Sequence, residues 1–411
     1  MNNSYSRNIP LYYASILFRA FFMLVSINVL YYLANGLSLT QVLFLASVLS
    51  IGSVLFDVPT GIFADKEGRK VSILISGLLL VIGYILLSFG GSFWMFLVAM
   101  VAMAASGSFL SGADSALVYD SLVAQRLENH YTRVETAAKT FSLVAGALAA
   151  VAGSYLYSIE IHLPYYCMVL LASLCFLCYA LMREPPITSR EPQSMRQYLK
   201  KSIALIQEDQ TLTFLMLFEA FVFATVNISY RFFQPLMQAA SIPLALFGLI
   251  YMGIMLFSAL IVYLQPLIEH ALEKRLGKDA TLWWFPALIG VGFLALAGRG
   301  IFLFIGLFIT QMLLTYLSPL MKIKVQARIP SRERATLLSV MSFLGNLLLL
   351  IIAPVFGFLA DTLGIALCLI ILAAFGMVTT FTVLIWHASL SASSAGQPPN
   401  RSNGRSGRGA A

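Results

Sequence analysis

The chain has 411 residues, 59% of them apolar and 11% charged, with a mean hydropathy of +0.86. A soluble domain carries about 25% charged residues, so this sequence lacks the polar surface to cover itself in water, and its main solvent is lipid. Lys and Arg exceed Asp and Glu to give a formal +8, an excess that in a membrane chain collects in cytoplasmic loops rather than on nucleic acid.

About 20 apolar residues cross the hydrocarbon core, and their backbone groups are satisfied only within helices or closed barrels. Runs such as Val71–Ser88 and Phe343–Phe356 lack the alternation of a barrel strand, so helices are expected. In chain order the expected spans are 10–33, 41–64, 71–89, 93–118, 136–158, 163–182, 211–236, 243–268, 281–298, 300–321, 335–358 and 364–387. The first contains Arg19 and stays apolar to Leu33, which reads as an uncleaved span rather than a signal peptide. Alternate connections hold Lys66, Arg69 and Lys70, then Arg126, Arg133 and Lys139, then the 183–210 segment, Lys274, Arg275 and Lys278, and Lys322 to Arg334. The other connections contain only Arg299. The basic set is therefore expected in the cytoplasm with both termini, and the protein in the cytoplasmic (inner) membrane.

This divides the chain into an N-terminal bundle (1–182), a connection (183–210), a C-terminal bundle (211–388) and a tail (389–411). In the connection Met195, Leu199, Ile203 and Ile206 recur at helical spacing among Arg196, Lys200 and Lys201, which predicts an amphipathic helix on the inner membrane surface. The Ser-, Gly- and Arg-rich tail is expected to be disordered.

Cys167, Cys175, Cys178 and Cys368 all fall inside spans. The Cys175/Cys178 pair has no second Cys or His pair to complete a metal site and reads as buried apolar packing. His130, His162, His270 and His387 are scattered, and no Gly-x-x-x-x-Gly-Lys-[Ser/Thr] loop occurs. No metal, cofactor or enzymatic activity is expected.

Phe18-Arg19-Ala20-Phe21 in span one is matched by Phe218-Glu219-Ala220-Phe221 in span seven, and Asn28 and Tyr31 by Asn227 and Tyr230. This points to an internal duplication. Between spans two and three runs Gly61-Ile62-Phe63-Ala64-Asp65-Lys66-Glu67-Gly68-Arg69-Lys70, entered through Asp57-Val58-Pro59-Thr60. That run resembles the signature loop of the major facilitator superfamily of secondary transporters, placed as it is there. The resemblance implies an all-α polytopic membrane protein, with twelve transmembrane helices in two pseudo-symmetric six-helix bundles and a substrate site between them near mid-membrane. It extends to bacterial drug and siderophore exporters, which implies proton-coupled efflux of small organic molecules by alternating access. Uptake or facilitated transport of a metabolite, or a non-transporting receptor, are the alternatives. The partners implied are a small-molecule substrate, protons and membrane lipids, with no nucleic acid, and a monomer is expected.

Charges within spans are costly and mark functional candidates. Arg19 and Glu219 lie about 13 Å from the inner face at 1.5 Å per residue. Related by the pseudo-twofold, they are candidates to face one another, either as a switchable pair that couples proton movement or as a fixed ion pair. Asp114 is a second proton-site candidate. Asp57, Gly61, Asp65, Gly68, Arg69 and Asp120 form a candidate cytoplasmic gate. The resemblance implies that Asp120 pairs with Arg69 and that Asp65 meets the end of span eleven, as a latch that breaks when the halves rock apart. Unlike many drug/proton antiporters, span four holds no Arg or Lys. Asn28, Asn227, Gln311 and Asn346 are mid-span amides, candidates for substrate binding or for helix–helix hydrogen bonds. Arg231, near the outer end of span seven, reads as a cation that snorkels to the interface. Gly146, Gly153, Gly345 and Gly357 suit close helix approach. Gly357-Phe358-Leu359-Ala360-Asp361 mimics the signature loop at an outer end, whereas the loop's second-half counterpart is expected at Glu269–Lys278.

Overall fold

The computed structural model describes residues 5–185, 209–277, 280–329 and 334–395, and all of its regular structure is helical. Eleven helices are long and apolar enough to cross a membrane, and the shorter apolar Thr281–Leu296 completes the twelve. Most of the 183–210 connection, including its expected amphipathic segment, lies outside the described residues. The twelfth span, Ile365–Ala395, continues as helix past 388 into the segment expected to be tail.

Two spans depart from single helices. Span one is split into Asn8–Ala20 and Asn28–Ala34, with a short 3-10 turn at Met23–Ser26 between them. Span four is split into Phe93–Leu110 and Ala113–Val123 at Gly112, whose φ of 75° suits a residue without Cβ. Spans two (Leu39–Glu67), three (Arg69–Phe89), five (Tyr131–Ile159) and six (Leu163–Leu181) complete the first half. Spans seven (Gln210–Ala239), eight (Leu244–Leu276), nine (Ala280–Leu296), ten (Ile301–Arg328) and eleven (Arg334–Leu363) join the twelfth in the second. The halves meet along span two against span eleven and span five against span eight.

The duplication is visible in backbone geometry. Span two ends at Gly68 (φ 104°, ψ 150°) and span eight at Gly277 (φ 91°, ψ 171°), each with its N–H on the carbonyl four residues back. Both caps need a positive φ that favours glycine. The second glycine of the signature loop therefore has its counterpart within the expected 269–278 stretch.

Candidate functional site

The break in span one is held open by close backbone contact. Gly153 of span five lies so close to the Met23 carbonyl that a Cβ there would overlap it. Ser26 Oγ donates to the Ala150 carbonyl at 2.9 Å. Glycine is what lets span five approach the unwound segment this closely.

The groups freed by the break are taken up from the other half. Gln234 of span seven is 1% exposed. Its Oε1 accepts from the backbone N–H of Val29 at 2.8 Å and of Leu30 at 3.3 Å, capping the second half-helix. Its Nε2 donates to the Val25 carbonyl and to Asn28 Oδ1, each at 3.0 Å, and to the Tyr251 hydroxyl at 3.4 Å. One uncharged side chain thus serves as an N-cap in trans, satisfying orphan donors that a helix start would otherwise leave in hydrocarbon. Asp361, at the same end of span eleven, does the same for span two. Its carboxylate accepts from the Leu39 and Thr40 N–H groups, each at 2.9 Å, and from Thr40 Oγ1 at 2.6 Å, beside the close contact of Gly357 with the Thr40 backbone. A negative charge on a helix N-terminus is favourable. The Gly357–Asp361 mimic is therefore used, as a seal.

Ser47 Oγ to the Leu349 carbonyl (3.3 Å) and Gly248 N–H to Ser154 Oγ (2.7 Å) also join the halves. All lie at mid-depth or toward the face opposite the basic loops. At the basic end of span two, Asp57, Gly61 and Asp65 are exposed and meet no partner in the second half among the described residues. The expected contact of Asp65 with the end of span eleven falls on residues 330–336, whose side chains lie outside the described residues.

Arg69 does pair with Asp120, and its Nη1 also donates to the Ala116 carbonyl at 2.7 Å. Both partners belong to the first half, so this pair ties span three to span four within one bundle. Beside it, Glu184 accepts from the N–H groups of Arg69 (3.1 Å) and Lys70 (2.6 Å), capping span three. Asn8 is fully buried and donates to Ser121 Oγ and to the Arg183 carbonyl, each at 2.8 Å. These contacts tie the basic end of the first bundle together.

Inside the spans, Arg19 and Glu219 do not meet. Arg19 turns into its own bundle, where its charge reaches Tyr84, Asp114, Cys175 and Tyr179, and its Nη1 is buried with no hydrogen-bond partner. Glu219, 6% exposed, lies against Gly345 and Phe223 in its own half, and the cation whose charge reaches it is Lys322. Equivalent positions in the two halves here point to equivalent places inside each bundle rather than across the axis. Asp114 opens the second helix of span four and accepts from the Ser115 N–H at 2.7 Å. Nearby, the Tyr12 hydroxyl donates to Glu135 at 2.8 Å, joining spans one and five.

The Major Facilitator Superfamily model matches residues 11–351. The chain belongs to that superfamily. As a member it is a multi-pass membrane transporter of small molecules, not an enzyme. It is 22% identical over 357 residues to the uncharacterized MFS-type transporter YxaM of Bacillus subtilis (strain 168), covering 84% of this chain and 87% of that one. The fold is similar to that of the nucleoside transporter NupG, with a TM-score of 0.73, 14% identity, and coverage of 94% of this chain and 99% of that one. It is also similar to a bacterial homolog of the human lysosomal transporter Spinster in an inward-facing, unoccupied conformation, with a TM-score of 0.66, 16% identity, and coverage of 93% and 97%.

Within this superfamily fold the candidate amides do not converge. Asn227 and Asn346 donate to carbonyls of their own helices at 2.9 and 2.8 Å, and Gln311 Oε1 is buried without a partner. Asn28 lines a cavity between the halves, and Arg231 lines the same one. The snorkelling expected of Arg231 does not occur, since its side chain turns inward between the bundles. Gln234, Glu135 and Glu184 carry no motif that marks them in sequence.

Proposed function

We propose that this protein is a proton-coupled secondary transporter that exports small organic molecules, such as drug-like compounds or a siderophore, across the cytoplasmic membrane by alternating access. The observation that carries the reading is the one-sided seal: Gln234 and Asp361 close the halves on one face, while the basic ends of span two are exposed. With the basic loops in the cytoplasm, this is the inward-open form. Export then requires Gln234 to leave span one and Asp361 to leave span two while the basic ends come together. Asp57 and Asp65 are among the exposed charges available to meet the second half in that state.

Intramembrane carboxylates carry protons in pumps and transporters, and Glu219 and Asp114 are the candidates for that role. Glu219 has no ion pair or hydrogen bond among the described residues. A proton moving down 100 mV yields about 2.3 kcal/mol, enough to concentrate a solute. Purified protein in liposomes with an imposed pH gradient tests this. Dye, antibiotic and siderophore flux is expected to collapse with a protonophore and with Glu219→Gln, which inserts normally. Flux indifferent to the gradient would sink the coupling.

A further inference from the structure

Arg231 sits eight residues before the end of span seven at Ala239, about 12 Å along the helix axis. It lines a cavity of about 50 Å³ between span seven and the first half, room for a carboxylate head but not for a whole ligand. Phe22, Asn28 and Tyr32 of span one face it, with Met100 and Met103 of span four. The rest of the lining is aliphatic, and no acidic residue contributes to it. Arg231 makes no ion pair and no hydrogen bond with any described residue. Its nitrogens are not sealed from solvent. A charge held within the membrane is costly and is normally matched by an opposite one. Here the protein supplies the cation and the apolar walls but no counter-charge.

Asn28 completes the arrangement. Its Oδ1 is taken by Gln234, which leaves Nδ2 to donate into the cavity. A single guanidinium and an amide donor lining one cavity suit a planar oxyanion of one negative charge, which Arg binds in a bidentate fork. A doubly charged phosphate monoester would leave one charge unmatched.

We infer that Arg231, with Asn28, is the anion-binding point of this cavity, and that the cargo is an organic monocarboxylate whose carboxylate is held there. This rests on the transport reading above and narrows its substrate class. Loading the site also touches the seal. A carboxylate that draws Asn28 toward Arg231 competes for the side chain that Gln234 holds one helical turn away.

The test uses the full-length protein and a panel of alkyl and aryl monocarboxylates, each paired with its primary amide. Binding is read by thermal stabilisation in detergent, and flux by uptake into proteoliposomes. The expected result is a carboxylate bound at least about tenfold more tightly than its amide. Arg231→Gln should erase that preference and Arg231→Lys should keep part of it, with both variants monodisperse and unfolding near the wild-type temperature without ligand. Amides bound as tightly as acids, a preference surviving Arg231→Gln, or a panel with no binding carboxylate would each overturn the inference. The two readings fail differently. Carboxylate binding without flux under any gradient sinks transport and leaves the anion site standing. Flux of neutral or cationic dyes undiminished in Arg231→Gln supports transport and overturns the anion site.

Discussion

Gln234→Met keeps the volume and apolar reach of the side chain while removing every hydrogen bond it makes across the interface. Three of these are short: from Val29 N–H at 2.8 Å, and to the Val25 carbonyl and Asn28 Oδ1 at 3.0 Å. A net contribution of about 0.5–1.5 kcal/mol per bond puts their sum at about 1.5–4.5 kcal/mol. After relaxation we take about 2 kcal/mol, which is roughly 25-fold in an equilibrium constant. The loss falls on the sealed state alone, because the bonds are absent once the halves part on that face. Spin labels at Ile161→Cys and Ala240→Cys, both exposed and one on each half, report the separation after the four native cysteines are replaced. Double electron–electron resonance should show the ratio of open to sealed distances rising by that factor. A folded Gln234→Met protein with an unchanged ratio would refute the idea that Gln234 holds the seal.

Asp361→Ala removes the cap on span two, worth about 1 kcal/mol, so the same labels should report a rise of roughly fivefold. An unaltered distribution would reduce Asp361 to a surface charge. Arg69→Met and Asp120→Asn should each lower thermal stability by about 2 kcal/mol, because each leaves a largely desolvated partner unpaired. The double variant should lose less than the sum, and neither should shift the label distances; a shift would restore the pair to a latch between halves. Gly153→Ala should impair folding or loosen span one, since its Cβ overlaps the Met23 carbonyl, whereas Gly146→Ala, with 3.7 Å to the Ala20 carbonyl, should be tolerated. Equal thermal stability and yield for the two would contradict the packing described for the break.

What could be read from the chain was what is written locally. Hydropathy marks the spans, the Lys and Arg distribution separates the loops into two sets, and the run from Gly61 to Lys70 marks the superfamily. Gly68 and Gly277 announce their caps because only a positive φ fits there. The break in span one is different. Residues 19–28 contain neither Pro nor Gly, so nothing local opposes a helix, and the unwinding depends on Gly153 more than 120 residues away. Gln234 and Asp361 were hard to find for a related reason. Beside Pro235, or at the end of a span, a polar residue looks like a boundary marker, and its partner lies 200 to 320 positions away on the other half. The pairing expected of Arg19 and Glu219 failed because sequence symmetry equates their positions without giving their rotation about each helix axis. Arg231 could be assigned a depth but not a direction, and direction decides between an interfacial anchor and a cavity wall.

The seal also has a bearing on how this protein can vary. Gln234 and Asp361 bind chiefly main-chain atoms of Val25, Val29, Leu30, Leu39 and Thr40. Apart from Thr40, whose hydroxyl also donates to Asp361, those side chains can drift among residues of similar bulk without disturbing the bonds, so paired substitutions there are not required. Selection on the seal falls instead on whatever keeps the backbone of span one unwound. Gly153 and Gln234, which never touch, are then the two positions expected to be lost or kept together.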